Sequence, residues 1–325
     1  MKTRILIAAT GVLVLLAAAV VYIGLAGSRD HDASAAGTAG AVTLTPGPRL
    51  LFVSTADADR GHLATLEADG VRAVSPVSCT RVYAAAGTGL CLRPEAGLTT
   101  YQLVVLDAQL NPKREIPLVG LPNRARVSAS GHRAAWTVFV TGDSYNGGRF
   151  STRAGTLDLR TGDLEGTLED FAVTVDGKPY QAADLNFWGI TFTQDDNHFY
   201  ATMSTGSHRY LVEGDSAART ARTVRDNVEC PSLSPDNRRI AYKSAVDGDP
   251  AKGWRLSVLD LATGTVTALA ETHSVDDQPA WLDNRTIAYA LRRDGGHADV
   301  WAVPANGSGT PRLLVADAES PSALG

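Results

Sequence analysis

Beyond residue 48 or so, apolar positions fall in short runs separated by turn signals, and no run keeps helical spacing for about ten residues. The pattern predicts strands throughout. It is clearest at Pro231-Ser-Leu-Ser-Pro-Asp-Asn-Arg-Arg-Ile-Ala-Tyr-Lys-Ser244, where a short run precedes Ser234-Pro235-Asp236-Asn237 and a β-branched, aromatic run follows. Pro235 presets φ for a turn and Asn237 tolerates the left-handed conformation, so the stretch reads as an antiparallel hairpin.

Weaker copies recur. Arg126–Trp136, Ile190–Ala201 and Pro279–Tyr289 repeat the pattern, Val77–Ala84 is a degenerate copy, and Arg49–Ser54 keeps only the second half. Aligned, they place Leu50, Val82, Ala134, Phe199, Ile240 and Ile287 at one position, with spacings of 32, 52, 65, 41 and 47 residues. Each copy is followed by a second hairpin, centred on Leu66-Glu67, Leu106-Asp107, Leu157-Asp158, Val212-Glu213, Leu259-Asp260 and Val303-Pro304. Two hairpins per unit make a four-stranded blade, and six units predict an all-β, six-bladed β-propeller over residues 48–325. The first unit lacks a leading strand. Residues 319–323 resemble the start of other blades, so the C-terminal tail is expected to complete blade one and close the ring.

The N-terminus follows different rules. Ile5–Ala26 is a run of 22 uncharged residues behind Lys2 and Arg4, long enough to cross a hydrocarbon core as a helix with the N-terminus in the cytoplasm. Residues 1–26 are therefore expected to anchor the chain in the cytoplasmic membrane, and residues 27–47, small and polar, to form a flexible tether. The alternative is a secreted protein cleaved near Ala35, after the small-residue stretch Ala33-Ser34-Ala35. Either way the propeller is extracytoplasmic.

Composition narrows the partners. Formal net charge is −5, and the basic residues are scattered rather than gathered in a stripe, which argues against nucleic acid. No Ser has Gly at both −2 and +2, no His precedes Glu as in HExxH, and Lys178 has no Gly-rich lead. No catalytic residue, metal site or cofactor is therefore assigned. In an exported domain, Cys79 and Cys91, taken to lie on adjacent strands of one hairpin, read as a disulfide, and Cys230 is left as a small buried side chain.

The Ser234-Pro235-Asp236-Asn237 turn followed by Ile240-Ala241-Tyr242, with its copies, resembles the propeller repeat of the TolB family. The resemblance implies the propeller and an envelope role. It departs from the family at Asn237, where Gly is usual, and the tether stands in place of the α/β domain that precedes the TolB propeller.

Binding chemistry is expected where the central channel opens, on the face reached by the loops between second and third strands and by the blade-to-blade links. Arg126, Asn186, Glu229 and Gln278 precede or open innermost strands, His273 and Asp277 lie in a link, and the long insertion Phe171–Trp188 brings Trp188. Trp188 reads equally as a packing residue between blades, like Trp136 and Trp281. The reading is a monomeric, non-catalytic binding or scaffold module for an envelope protein, peptide or glycan. The alternative is an envelope hydrolase or lyase using carboxylates at the channel mouth.

Overall fold

The computed structural model describes residues 41–95, 100–140 and 151–325. The segments expected to anchor the chain and the loop 141–150 lie outside the described residues. Among the described residues no helix is long and apolar enough to cross a membrane.

Residues 41–325 form one compact unit of six sheets. Blade I contains β1 (Leu50–Ser54), β2 (His62–Leu66) and β3 (Arg72–Ser78); blade II, β4 (Arg81–Ala85), β5 (Thr88–Pro94), β6 (Tyr101–Leu106) and β7 (Pro112–Leu118). Blade III contains β8 (Leu121–Val127), β9 (Arg133–Val140), β10 (Ser151–Asp158) and β11 (Leu164–Glu165). In blade IV, β12 (Ala172–Val175) and β13 (Lys178–Tyr180) precede β14 (Asn186–Phe192), β15 (His198–Thr205), β16 (His208–Asp215) and β17 (Thr220–Arg225). Blade V runs β18 (Glu229–Leu233), β19 (Arg239–Ala245), β20 (Trp254–Asp260) and β21 (Val266–Ala268). Blade VI runs β22 (Ala280–Trp281), β23 (Thr286–Arg292), β24 (Ala298–Pro304) and β25 (Arg312–Val315).

The last strand, β26 (Ala318–Ala323), pairs antiparallel with β1 and supplies the innermost strand of blade I, as expected for the tail. The fully buried Ser322 hydroxyl accepts from Ala84 N at 3.1 Å and donates to Ala84 O at 2.8 Å, bonding the closing strand to blade II. Closure removes the two free sheet edges that an open ring would leave.

The repeat turn behaves as its sequence requires. Asn237 adopts φ +57° and its amide donates to Ser234 O at 2.9 Å. Its side-chain oxygen accepts from Gln194 N of blade IV at 3.1 Å, while Asp236 N donates to Asn284 Oδ1 of blade VI at 3.0 Å. A glycine would supply the same φ but not the bond between blades. The turns between third and fourth strands use an aspartate as a local acceptor: Asp107 takes the amides of Gln109 and Asn111, Asp158 those of Arg160 and Thr161, and Asp260 those of Ala262 and Thr263. This is the Asx-turn bonding that explains the Leu-Asp spacing in the sequence.

Four expectations are corrected. Val82 does not align with the other five positions, because it lies on β4, the innermost strand of blade II. That blade opens with a two-residue turn, Ala86 (φ +49°) and Gly87 (φ +79°), instead of the four-residue repeat turn, so the degenerate copy was misframed. Consequently Cys79 sits in the link between blades I and II, and its bond to Cys91 on β5, with Cα atoms 5.5 Å apart, joins two blades rather than two strands of one hairpin. Of the segment expected as a tether, residues 41–47 belong to the propeller unit: Val42 and Leu44 are buried, and Leu44 N donates to Ala108 O at 2.8 Å. Leu44 fills the space above Gly89, where an added Cβ would stand 2.5 Å from Leu44 Cδ1. Finally, most of the insertion at Phe171–Trp188 is not a loop over the channel. Its β12 pairs parallel with β17, and the hairpin β12–β13 extends the outer edge of blade IV.

Candidate functional site at the channel mouth

The innermost strands kink where they reach the mouth. The ladders are interrupted between Trp188 and Thr191 on β14, between Glu229 and Ser232 on β18, and between Leu51 and Val53 where β1 meets β26. Gly189, Cys230 and Ser320 take φ of +65°, +50° and +55° at these bulges. A bulge re-aims the side chains beside it, and here the residues that open each strand line connected cavities.

The channel below the mouth is plugged. Arg126, on β8, stacks its guanidinium 4.1 Å from the Tyr83 ring centroid and donates from Nη2 to Pro279 O of blade VI at 3.3 Å. Gln278 donates to Pro231 O at 2.9 Å. The cavity they leave measures about 30 Å³, room for a water. Arg126 and Gln278 are therefore spent on bonds between blades.

Above them lies a cavity of about 590 Å³, within the range of small-molecule sites. Asn186, Trp188 and Glu229 line it, together with Arg124, Lys243 and Trp254. A third cavity, about 350 Å³, adjoins through Arg81 and holds His273 and Asp277. Of the residues expected at the mouth, the structure brings Asn186, Trp188 and Glu229 together and sets His273 and Asp277 beside them.

Their states differ. Asn186 is committed to the scaffold, accepting from Thr152 N at 2.9 Å and donating to Asp184 O at 3.0 Å. Asp277 is buried and accepts from Ala290 N at 3.1 Å. His273 is exposed, with Nδ1 2.7 Å from Glu271 Oε1. Trp136 and Trp281 are buried between blades, and Trp281 Nε1 donates to Ser232 O at 2.8 Å. Trp188 is half-buried, lines the cavity, and its side chain makes no hydrogen bond, ring or cation contact with the described residues.

Glu229 is the buried acid of the mouth, bonded by Arg209 Nε at 2.6 Å and Lys243 Nζ at 3.3 Å. Burial raises its carboxyl above the usual glutamate range, against the pull of those two cations. Lys243, itself buried, also pairs with Asp276 and lies 4.2 Å from the Trp254 ring centroid. Burial acts to depress the Lys243 ammonium, but Cys230, Glu229 and Asp276 outweigh it and the net shift is upward.

The sequence reading missed Arg81, Arg124, Arg209, Lys243 and Arg292. Arg81 and Arg124 open innermost strands as Arg126 does, and that placement was the available signal. The other three lie on second and third strands, where only the assembled ring shows that they point to the axis.

No family model matches the chain. Its fold is that of a closed, six-bladed TolB-like β-propeller. The crystal structure of TolB from Acinetobacter baumannii superposes with a TM-score of 0.62 at 16% identity, covering 85% of this chain and 66% of that one. A putative TolB from Agrobacterium tumefaciens gives 0.51 at 10% identity, covering 86% of this chain and 94% of that one. At such identities the likeness is one of fold, and this chain spans just under two thirds of the Acinetobacter protein.

Proposed function

We propose that this chain is a membrane-anchored, extracytoplasmic binding module that engages an envelope protein, peptide or glycan through the channel mouth without transforming it. The observation that carries this reading is the cavity of about 590 Å³ that adjoins the plugged channel and is lined by a half-buried Trp188 whose side chain makes no hydrogen bond, ring or cation contact with the described residues. Such a cavity suits a loop tip or chain end, held on a rigid scaffold. The hydrolase alternative needs two carboxylates flanking a scissile bond. The Lys243 ammonium is bonded to both Glu229 and Asp276, two acids of the cavity wall, and occupies the space between them that a glycosidic oxygen would need.

Membrane attachment rests on Ile5–Ala26, and the Cys79–Cys91 disulfide fits an oxidising compartment. The test uses full-length protein in detergent against fractionated envelope glycans and peptides. The reading expects saturable one-to-one binding, recovery of the ligand unaltered, and about tenfold weaker binding by Trp188→Ala. Steady conversion of any fraction would replace it with the enzyme. For location, a membrane-impermeant amine reagent applied to intact spheroplasts should label the exposed Lys252; protection of Lys252 until lysis would place the propeller inside.

A further inference from the structure

Among the described residues, the cations that line the large cavity are ion-paired with one exception. Arg209 and Lys243 share Glu229, Lys243 also holds Asp276, and Arg81 and Arg292 both meet Glu319, at 3.3 and 3.7 Å. Arg124 is in no ion pair with the described residues. Only 8% of it is exposed, its Nη1 donates to Asn123 O at 3.1 Å, and its Nε has no partner. It lines both the large cavity and the channel pocket below. Asp277 and Asp276 face it from blade VI beyond pairing distance, and the Cys230 sulfur beside it is only a weak acceptor. Burial works against its charge but Cys230, Asp277 and Asp276 outweigh it, so the guanidinium stays charged while its Nε donor is left unbonded among the described residues.

We infer that the mouth cavity binds the carboxylate of an acidic sugar, with Arg124 as the anchor and the Trp188 ring as the platform for the pyranose face. This rests on the binding reading above and deepens it. Arg presents a planar fork that matches a carboxylate bidentately. The rest of the wall supplies side-chain hydroxyls at Ser204 and Ser207, groups suited to sugar hydroxyls. An extended peptide would instead add to a free strand edge, and the bulges at Gly189 and Cys230 break the two innermost edges nearest the cavity. The cavity volume holds one or two sugar rings, and the carboxylate source is either a free sugar acid or the end of a glycan chain.

The experiment is calorimetric titration of the full-length protein with D-glucuronate, D-glucose, a glucuronate-terminated disaccharide and N-acetyl-L-glutamate. The expected result is D-glucuronate binding at least about tenfold tighter than D-glucose, the preference lost in Arg124→Gln and reduced in Arg124→Lys, which keeps the charge but not the fork. Tighter binding of the disaccharide than of the free acid assigns the source to a chain end, and the reverse to a free sugar acid. Because Arg124 has no ion pair with the described residues to lose, Arg124→Gln should melt within a few degrees of wild type, and Arg124→Lys serves if it does not fold. The inference is overturned if glucose binds as well as glucuronate, if Arg124→Gln keeps the preference, or if N-acetyl-L-glutamate binds more tightly than glucuronate. Should no sugar acid bind while the envelope screen still returns a ligand sensitive to Trp188→Ala, this inference fails and the binding reading stands.

Discussion

The two ends of the propeller use the same residue types in opposite ways. At the end made of the turns between first and second and between third and fourth strands, aspartates and asparagines are spent on the backbone. Asp158 takes two amides and two arginines, Asp196 accepts from Ser130 of the preceding blade, and Asn237 and Asn284 bond their preceding neighbours. At the mouth, charges meet charges across blades, the ladders are interrupted, and Arg124 and Trp188 are left over. The aspartates and asparagines named at the turn end are taken up by their own chain, whereas Arg124 and Trp188 at the mouth keep unused capacity among the described residues. On the proposed function, stability and binding are separated along the ring axis, and substitutions should sort by end.

The largest effect should come from the closure that both ends depend on. Deleting residues 317–325 removes β26, the Ser322 bonds to blade II and the buried Leu324, and exposes an edge of β1. The cooperative melting transition should fall by more than about 15 °C or disappear, since each kcal/mol is worth about 2–4 °C in a domain of this size. An unchanged midpoint would mean that the blades hold without a closed ring. Next in size, replacing Cys79 and Cys91 together by serine releases a cross-link over a sequence separation of 12 and should cost about 3 kcal/mol. Because the bond joins blades I and II, hydrogen exchange should rise first in β4 and β5. Uniform loosening of all six blades would contradict that localisation.

Acid acts with opposite sign on the turn aspartates and on Glu229 of the mouth. Asp158 is partly buried, which works to raise its carboxyl, yet Arg160 and the amides of Arg160 and Thr161 hold it far below the usual range. Asp107 is held at about 2, chiefly by the Asn111 amide. With depressed folded values, these groups bind fewer protons folded than unfolded, so their stabilisation is present above about pH 4 and lost as pH falls through their folded values. Glu229 has the opposite sign: its raised value makes its contribution greatest below about pH 4 and lost as pH rises through the folded value. Asp158→Asn should therefore destabilise at pH 7 by about 2 kcal/mol and flatten the acid limb of a denaturation series. An acid limb as steep as wild type would show that the turn aspartates are not its source.

Much of this division was legible before the ring was assembled. Blade number, the closing tail and the Ser-Pro-Asp-Asn turn follow from a strict local grammar: φ at Asn237, Asx bonding at Asp158 and strand alternation act within a few residues, so the sequence carries them directly. Val82 was misplaced because blade II opens with a turn of different length, and a shift in turn length changes which strand a residue belongs to. Leu44 was missed because a lone Leu in a small, polar stretch has no periodicity to announce its burial. The mouth was half legible. Innermost strand ends could be located, which brought in Glu229 and Trp188, but pairing is a property of space. Nothing in the order of residues says that Lys243 takes up Glu229 and Asp276, or that Arg126 plugs the channel while Arg124, two positions earlier, lines the large cavity.

The smallest effect tests whether the turn end is saturated by side chains or only by backbone shape. Asn237 does two things there: it tolerates φ +57°, and its Oδ1 accepts the Gln194 amide of blade IV. Asn237→Gly keeps the first and loses the second. The removed bond is exposed, so the loss should be under about 1 kcal/mol. Asn237→Ala loses both, and the left-handed backbone costs an alanine about 1 kcal/mol more than a glycine. Urea denaturation of the three proteins should therefore give midpoints in the order wild type, glycine, alanine, with the wider gap between the last two. If glycine matches wild type, the bond between blades contributes nothing and backbone conformation alone explains the position. If glycine falls as far as alanine, the side-chain bond dominates, and the turn end is held by its contacts across blades more than by its local geometry.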